Sequence, residues 1–367
     1  MTASDRALRI GFQVWGQYVS WPELMAIGAE IDRLGFDELW SNDHFLPLAA
    51  GTDGADGGLE GPVFEGWSIL FGWAGVTRSV RIGCLVSGAA YRNPALLVKM
   101  ATALDHASGG RAALGLGGGW FEPEHRAFGW DFPALGQRID RFAEAARICR
   151  ELLDGETVSA AGEWFTTVGA RNDPPPVQAR LPLVVGGSGE KRTLRIVAET
   201  ADLWNADGDS PESFARRSGI LDEHCRTVGR DPGSIERTVG LPPLVIRDSR
   251  ADAVDALAAI LERHATDTEA ARRAAAASPF ATTPDEAANQ LGHYRDAGAS
   301  AVMFDLPAPY DQASLEALAG PIRAAIEARR LRRWRTLLRF RARMRGSQAR
   351  HSTKCCMDRT RLTSGNS

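Results

Sequence analysis

No run of about 18 apolar residues occurs anywhere in the 367-residue chain, so no transmembrane helix is expected. Cysteine is scarce. The five present (Cys84, Cys149, Cys225, Cys355 and Cys356) form neither a CxxC nor a metal-ligand spacing, which argues against a disulfide framework and a zinc finger. The histidines at 44, 106, 125, 224, 264, 293 and 351 are equally scattered, with no cysteine or carboxylate partner at ligand distance in the sequence. No metal site is expected. The first residues, "MTASDRALRIGF", lack the charged-then-apolar order of a signal peptide. With buried thiols as the simplest reading of the cysteines, a reducing, cytoplasmic setting is expected.

What is present is an ordinary globular composition, 44% hydrophobic and 24% charged, long enough for a sizeable core. The net charge of -3 hides an asymmetry: residues 329–367 carry 13 Lys and Arg against one acid, Asp358. The tail is therefore +12 and the body -15. An acidic body argues against nucleic acid as the main partner and leaves a small molecule. The tail has two readings. "RRLRRWRTLLRFRARMRG" can form a basic amphipathic helix with Leu331, Trp334 and Leu338 on one side, suited to an anionic surface. Alternatively it is a disordered extension. We expect a barrel over 1–328 and an extension over 329–367 without a catalytic role.

Strand-like and helix-like segments alternate along the body. "LRIGFQVW", "FDELWS", "VRIGCLV", "RAALGLG", "LPLVVGG", "DLWNAD", "IERTVGL" and "AVMFDLP" read as short, fully buried strands. Between them lie helical patterns, such as Leu24, Ile27, Ile31 and Leu34 on one face, closed by Gly35. "PALLVKMATALDHAS" is a helix with proline in its first turn. Further helices are expected over 138–153, 190–201, 211–228, 251–277, 284–298 and 312–328, with a short hairpin near "GEWFTTVGA". Eight strands in one unbroken series predict a (β/α)8 TIM barrel with insertions. The competing arrangement is an open doubly wound sheet. In the barrel, functional groups sit at the C-terminal strand ends.

Those ends carry polar and glycine-rich clusters. Asp43 and His44 follow strand two, where a histidine can move a proton near neutral pH and the aspartate can orient it or hold a polar ligand group. The bland alternative is a solvated pair capping the strand. Ser87 and Gly88 after strand three leave room for a planar ligand. After strand four, "GLGGGWFEPEH" offers Trp120 and Phe121 as stacking faces and Glu122, Glu124 and His125 as titratable groups. It is a poor Rossmann match, lying mid-chain without the acidic residue about 20 positions on. After strand five, Gly186, Gly187, Ser188 and Gly189 lead into a helix, a phosphate cradle or simply a tight turn. The Gly-rich loop 49–61 is read as a lid over the ligand.

Taken together, "GFDELWSNDHF", "YRNPALLVKMATALDHASGGRAALGLGGGWFEPEHRAFG" and "GGSGEKRTLRIVAETADLWN" resemble the luciferase-like superfamily of (β/α)8 barrels, specifically its deazaflavin branch that uses coenzyme F420. The resemblance runs from about Leu8 to about Arg329. It implies that Asp43 and His44 lie beside the deazaflavin ring. It implies a non-prolyl cis peptide, placed at Leu85–Val86 from the "YRNP" anchor, backing that ring together with Ser87 and Gly88. Gly186, Gly187, Ser188 and Gly189 would hold the phosphate, and Trp204 and Asn205 would line the cofactor. The implied chemistry is hydride transfer at C5, with His44 as proton donor or acceptor and Glu122 and His125 as further candidates. Relatives carry a glutamate where this chain has Trp120. Trp15, Trp67 and Trp120 would shape an aromatic substrate pocket. A homodimer is a further analogy with the family. The other readings are a reduced-FMN monooxygenase, since both cofactors have three rings and a phosphate, and a non-catalytic flavin-binding protein.

Overall fold

The computed structural model describes residues 7–49, 60–208 and 210–326. The lid expectation for 49–61 rests mainly on residues outside that range, and the basic tail lies wholly outside it. Eight parallel strands close a barrel: β1 (Arg9–Val14), β2 (Glu38–Ser41), β3 (Arg81–Gly88), β4 (Ala112–Gly117), β5 (Leu183–Gly186), β6 (Leu203–Asp207), β7 (Glu236–Leu241) and β8 (Ala301–Leu306). Ring closure comes from β8 pairing with β1, Arg9 opposite Ala301 through Val14 opposite Leu306. The barrel, not the open sheet, is the architecture.

Alternation along each strand separates two cores. Ile10, Phe12, Leu39, Ile82, Leu114, Val185, Trp204, Val302 and Phe304 face outward and pack under the helices. Trp40, Ala113, Val184, Leu203, Ala301 and Met303 fill the barrel interior. Both faces are buried, so the strands read as continuous apolar runs and the sequence does not reveal which residue points where. At the N-terminal face the polar interior residue Glu38 is tied to Arg9, Arg81 and the Trp40 indole.

Local chemistry explains the helices. Asn93 caps Pro94–Ser108 by accepting from the Ala95 N–H at 2.9 Å, and Gly109 ends it in the left-handed conformation. Ser20 and Glu23 form a capping box on Trp21–Arg33. The expected helical stretch 251–277 is two helices, Arg250–Glu262 and Thr268–Ala277, because Asp267 caps the second. The last helix is regular over Gln312–Ala317, widens into a π turn, Leu318–Ile322, which holds Pro321, and is α-helical again over 323–326. Gly66–Val76 was not foreseen: "GWSILFGWAGV" is apolar all round and has no helical stripe. Glu65 caps it, accepting from the Ser68 N–H at 2.6 Å. The hairpin is present as Val158–Ala161 and Thr166–Ala170. None of the described helices is long and apolar enough to cross a membrane.

The β3–β4 seam breaks register between Cys84 and Ser87. Here β4 must be glycine: a Cβ on Gly115 would fall 2.0 Å from the Cys84 carbonyl oxygen. Gly115→Ala is therefore expected to cost about 1–3 kcal/mol, read by chemical denaturation. An unchanged midpoint would show that the seam tolerates a methyl group.

Candidate active site

A cavity of about 930 Å³ opens at the C-terminal end of the barrel, within the range of small-molecule sites. Its floor is Val86, which follows the cis peptide Leu85–Val86. The cis bond sits where the family resemblance implied it. Interior glycines make room around that side chain. A Cβ on Gly117 would come within 2.6 Å of Val86, and one on Gly186 within 3.0 Å. Gln13 of β1 donates its amide to the Leu85 carbonyl, pinning the peptide from the opposite wall.

His44 projects into this cavity from the end of β2. Its Nδ1 lies 3.0 Å from Glu124 Oε1. A carboxylate only accepts, so Nδ1 carries the proton and donates, which leaves Nε2 for a ligand. Glu124 is fully buried. Its Oε1 also accepts from the Phe45 and Leu46 N–H groups at 2.8 and 3.1 Å, and Oε2 accepts from the Tyr91 hydroxyl at 3.0 Å. Burial pushes this carboxyl up, yet the bonds from His44 and the two backbone amides outweigh it and hold it below the ordinary value.

Asp43 does not orient His44. It forms a two-point ion pair with Arg92, at 2.5 and 3.1 Å. Arg92 also bonds Glu65, the cap of Gly66–Val76. Burial pushes the Asp43 carboxyl up, and Arg92 pulls against it. The "YRNP" segment thus has four jobs: Tyr91 bonds Glu124, Arg92 bonds Asp43, Asn93 caps a helix and Pro94 starts it.

The structure brings Trp15, Asp43, His44, Leu85, Val86, Gly88, Trp120, Gly186, Gly187 and Asn205 to one cavity. Other expected residues lie elsewhere. Glu122 is on the surface, half exposed and paired with Arg126 one turn on. His125 is fully buried behind the cavity wall, its Nδ1 on the Asp131 carbonyl at 2.9 Å, and burial pushes it below the usual imidazole value. Trp204 points outward, stacks on Phe214 at 5.5 Å, and donates to the Gly187 carbonyl at 2.9 Å. It braces the glycine turn from outside. Trp67 sits in the helical layer and donates to Ser87 Oγ at 2.8 Å, so neither lines the cavity. Ser188 and Gly189 flank it: Ser188 Oγ accepts from the Asp207 N–H at 3.1 Å. Arg192, just beyond, is engaged by the Gly136 carbonyl and Asp140.

Sequence reasoning missed Gln13, Asp207 and Asp305 as lining residues, and Glu124 as the partner of His44. A signal existed for Gln13 and Asp305: each is a polar residue near the C-terminal end of an otherwise apolar run, in register with the other. Among the described residues, no three His, Cys, Asp or Glu side chains cluster as a metal site.

Glu124 gives an acid-side prediction. A carboxyl held below its unfolded-state value stabilises the fold above that value, and the stabilisation is lost as pH falls through the folded one. Glu124→Leu leaves the Tyr91 hydroxyl and two loop amides without an acceptor, at an expected cost of about 3–5 kcal/mol at about pH 7. The cost should shrink toward about pH 3. Denaturation across that range checks both; a cost that does not change with pH would remove the carboxylate from this account.

A family profile described as luciferase-like monooxygenase matches residues 8–305. The chain is 25% identical over 329 residues to the F420-dependent glucose-6-phosphate dehydrogenase of Amycolatopsis mediterranei (strain U-32), covering 82% of this chain and 93% of that one. Among solved structures it resembles an F420-dependent secondary alcohol dehydrogenase, with TM-score 0.71, 20% identity and coverage of 88% and 99%. It also resembles a long-chain alkane monooxygenase, with TM-score 0.70, 14% identity and coverage of 88% and 92%. With the profile matching well over half of the chain and reaching all eight strands of the barrel, this chain belongs to the luciferase-like monooxygenase family.

Proposed function

We propose that this protein is a deazaflavin-dependent oxidoreductase that binds coenzyme F420 and acts on a small organic molecule. The observation that carries the reading is His44, clamped at Nδ1 by a buried carboxylate and free at Nε2, over a glycine-walled cavity with a cis peptide in its floor. Curated relatives covering 82% of the chain are named as F420-dependent. That supports F420 over FMN.

The residues present fit such a cofactor. A flat ring system needs a wall without side chains, and Gly117, Gly186 and Gly187 supply it. Gly187, at φ +114°, turns the chain toward Ser188 and the helix Thr193–Thr200, where a phosphate would sit. Bound there, the deazaflavin would give or take a hydride at C5. The protein's part is to hold and to orient. Gln13 fixes the Leu85 carbonyl, and Asn205 is itself fixed by the Thr238 hydroxyl at 2.9 Å. Trp15 and Trp120 line the same cavity and would cover a bound substrate from solvent. His44 Nε2 meets the polar atom of the substrate, donating to it or accepting from it.

A second reading, a monooxygenase using reduced FMN and O₂, is favoured by the likeness to a long-chain alkane monooxygenase. Titration with oxidised and reduced F420, FMN and reduced FMN, read by fluorescence, separates the two. We expect F420 to bind at least about tenfold more tightly, a difference of about 1.4 kcal/mol. A preference for reduced FMN with O₂ uptake would replace the deazaflavin reading. His44→Ala should keep cofactor affinity and lose about 10²–10⁴ in turnover; full activity would dismiss the imidazole from the chemistry.

A further inference from the structure

Trp120 is half exposed beside His44, with ring centroids 5.5 Å apart. An acid lines the same cavity from another strand. Asp305 is the last inward position of β8: Ala301 and Met303 belong to the interior core, while Val302 and Phe304 pack outward. Period two carries Asp305 to the inner face at the strand's C-terminal end, where it lines the same cavity as His44. In a barrel this is the position from which catalytic groups act.

We propose that Asp305 is a second catalytic residue of this site, the one that exchanges a proton with the substrate while His44 holds the same oxygen. The proposal rests on the oxidoreductase reading above. For an alcohol the balance is direct. The O–H bond breaks and its proton joins the Asp305 carboxylate. The electron pair left on oxygen forms the C=O bond as the neighbouring C–H leaves as hydride to the deazaflavin. In reverse, the Asp305 carboxyl protonates the oxygen of a carbonyl that accepts hydride.

The surroundings suit the task. Asp305 faces Gln13, its register partner on β1, and takes a hydrogen bond from the Trp15 side chain. Leu241 of β7, the register partner of the preceding Phe304, lines the same cavity, and the charges that reach Asp305 are Asp207 of β6 and His44. Burial pushes its carboxyl up to about 7, with Asp207 adding to the rise and the Trp15 bond and His44 opposing it. A carboxyl near neutrality can both give and take a proton under ordinary conditions. No Lys or Arg is among the described residues lining the cavity, whereas Asp43, Asp207 and Asp305 are. That lining suits an uncharged alcohol or carbonyl compound and disfavours a phosphorylated sugar.

The test has a part that needs neither cofactor nor substrate. Ionising a carboxyl whose folded value is raised costs the fold stability, beginning above the unfolded value and complete above about pH 7. Asp305→Asn should therefore raise Tm relative to the wild type at about pH 8 and lose that advantage at about pH 4. A difference that stays constant with pH would overturn the proposal. The second part uses full-length protein with F420 and a panel of uncharged secondary alcohols, with glucose 6-phosphate alongside. Asp305→Asn should lower kcat about a hundredfold or more, with KM little changed and the pH limb near neutrality gone. Asp305→Glu should restore part of the rate. An unchanged rate and pH profile in Asp305→Asn would overturn the proposal, and glucose 6-phosphate as the best donor would overturn its substrate class. F420 binding is measured separately by fluorescence in both proteins. If the wild type does not bind it, the deazaflavin reading falls, while the pH-dependent Tm difference still decides whether Asp305 is a poised carboxyl.

Discussion

One buried carboxylate organises the mouth of this barrel. Glu124 has no solvent to stabilise its charge, so its bonds must do it. Its bonds to His44 and to the Phe45 and Leu46 amides come from the loop after β2, and its bond to Tyr91 from the loop after β3. Glu124 itself belongs to the short helix Glu122–Phe128 after β4. Three loops are thereby joined at a single side chain. The orientation of His44 follows from that junction, because the bond at Nδ1 fixes the ring and directs Nε2 away from the carboxylate. Removing the carboxylate would leave all four donors without this acceptor, so the three loops depend on it together.

A second constraint is backbone proximity. The cavity exists because β4 and β5 present glycine where Val86 comes forward, and because the seam between β3 and β4 slips register at that point. A side chain at Gly117 or Gly186 would collide with Val86. The glycines that resemble a nucleotide-binding fingerprint in the sequence therefore serve first as space for a neighbouring strand. Gly186 and Gly187 also line the cavity, and Gly187 makes the turn that leads to Ser188.

Charge is distributed with similar economy. Asp43 and Arg92 neutralise one another and tie the end of β2 to the start of the helix Pro94–Ser108, while Glu65 shares the same guanidinium and caps Gly66–Val76. Such a buried network holds geometry more than it adds stability. Asp305 stands outside that network: burial raises its carboxyl, and Asp207 and His44 are the charges that reach it.

The amino-acid sequence by itself determined the barrel. Eight short apolar strands separated by helices, their caps and their closing glycines are local properties, set by periodicity and by residues such as Asn93, Pro94 and Gly109. It also placed His44 and the glycine turn at Gly186–Gly187 at the C-terminal strand ends, where the structure brings them to one cavity. What only the tertiary structure decided was which side chains meet. Strands buried on both faces hide their alternation, so Trp204, read as a cofactor contact, points outward, while Gln13 and Asp305 point in. Glu122 and Glu124 are two residues apart on one helical turn, and only packing selects the buried one. Residues 80 positions apart, His44 and Glu124, become partners because barrel closure brings the β2 and β4 loops together. That pairing is a property of three-dimensional distance and is not written in any local stretch of the chain.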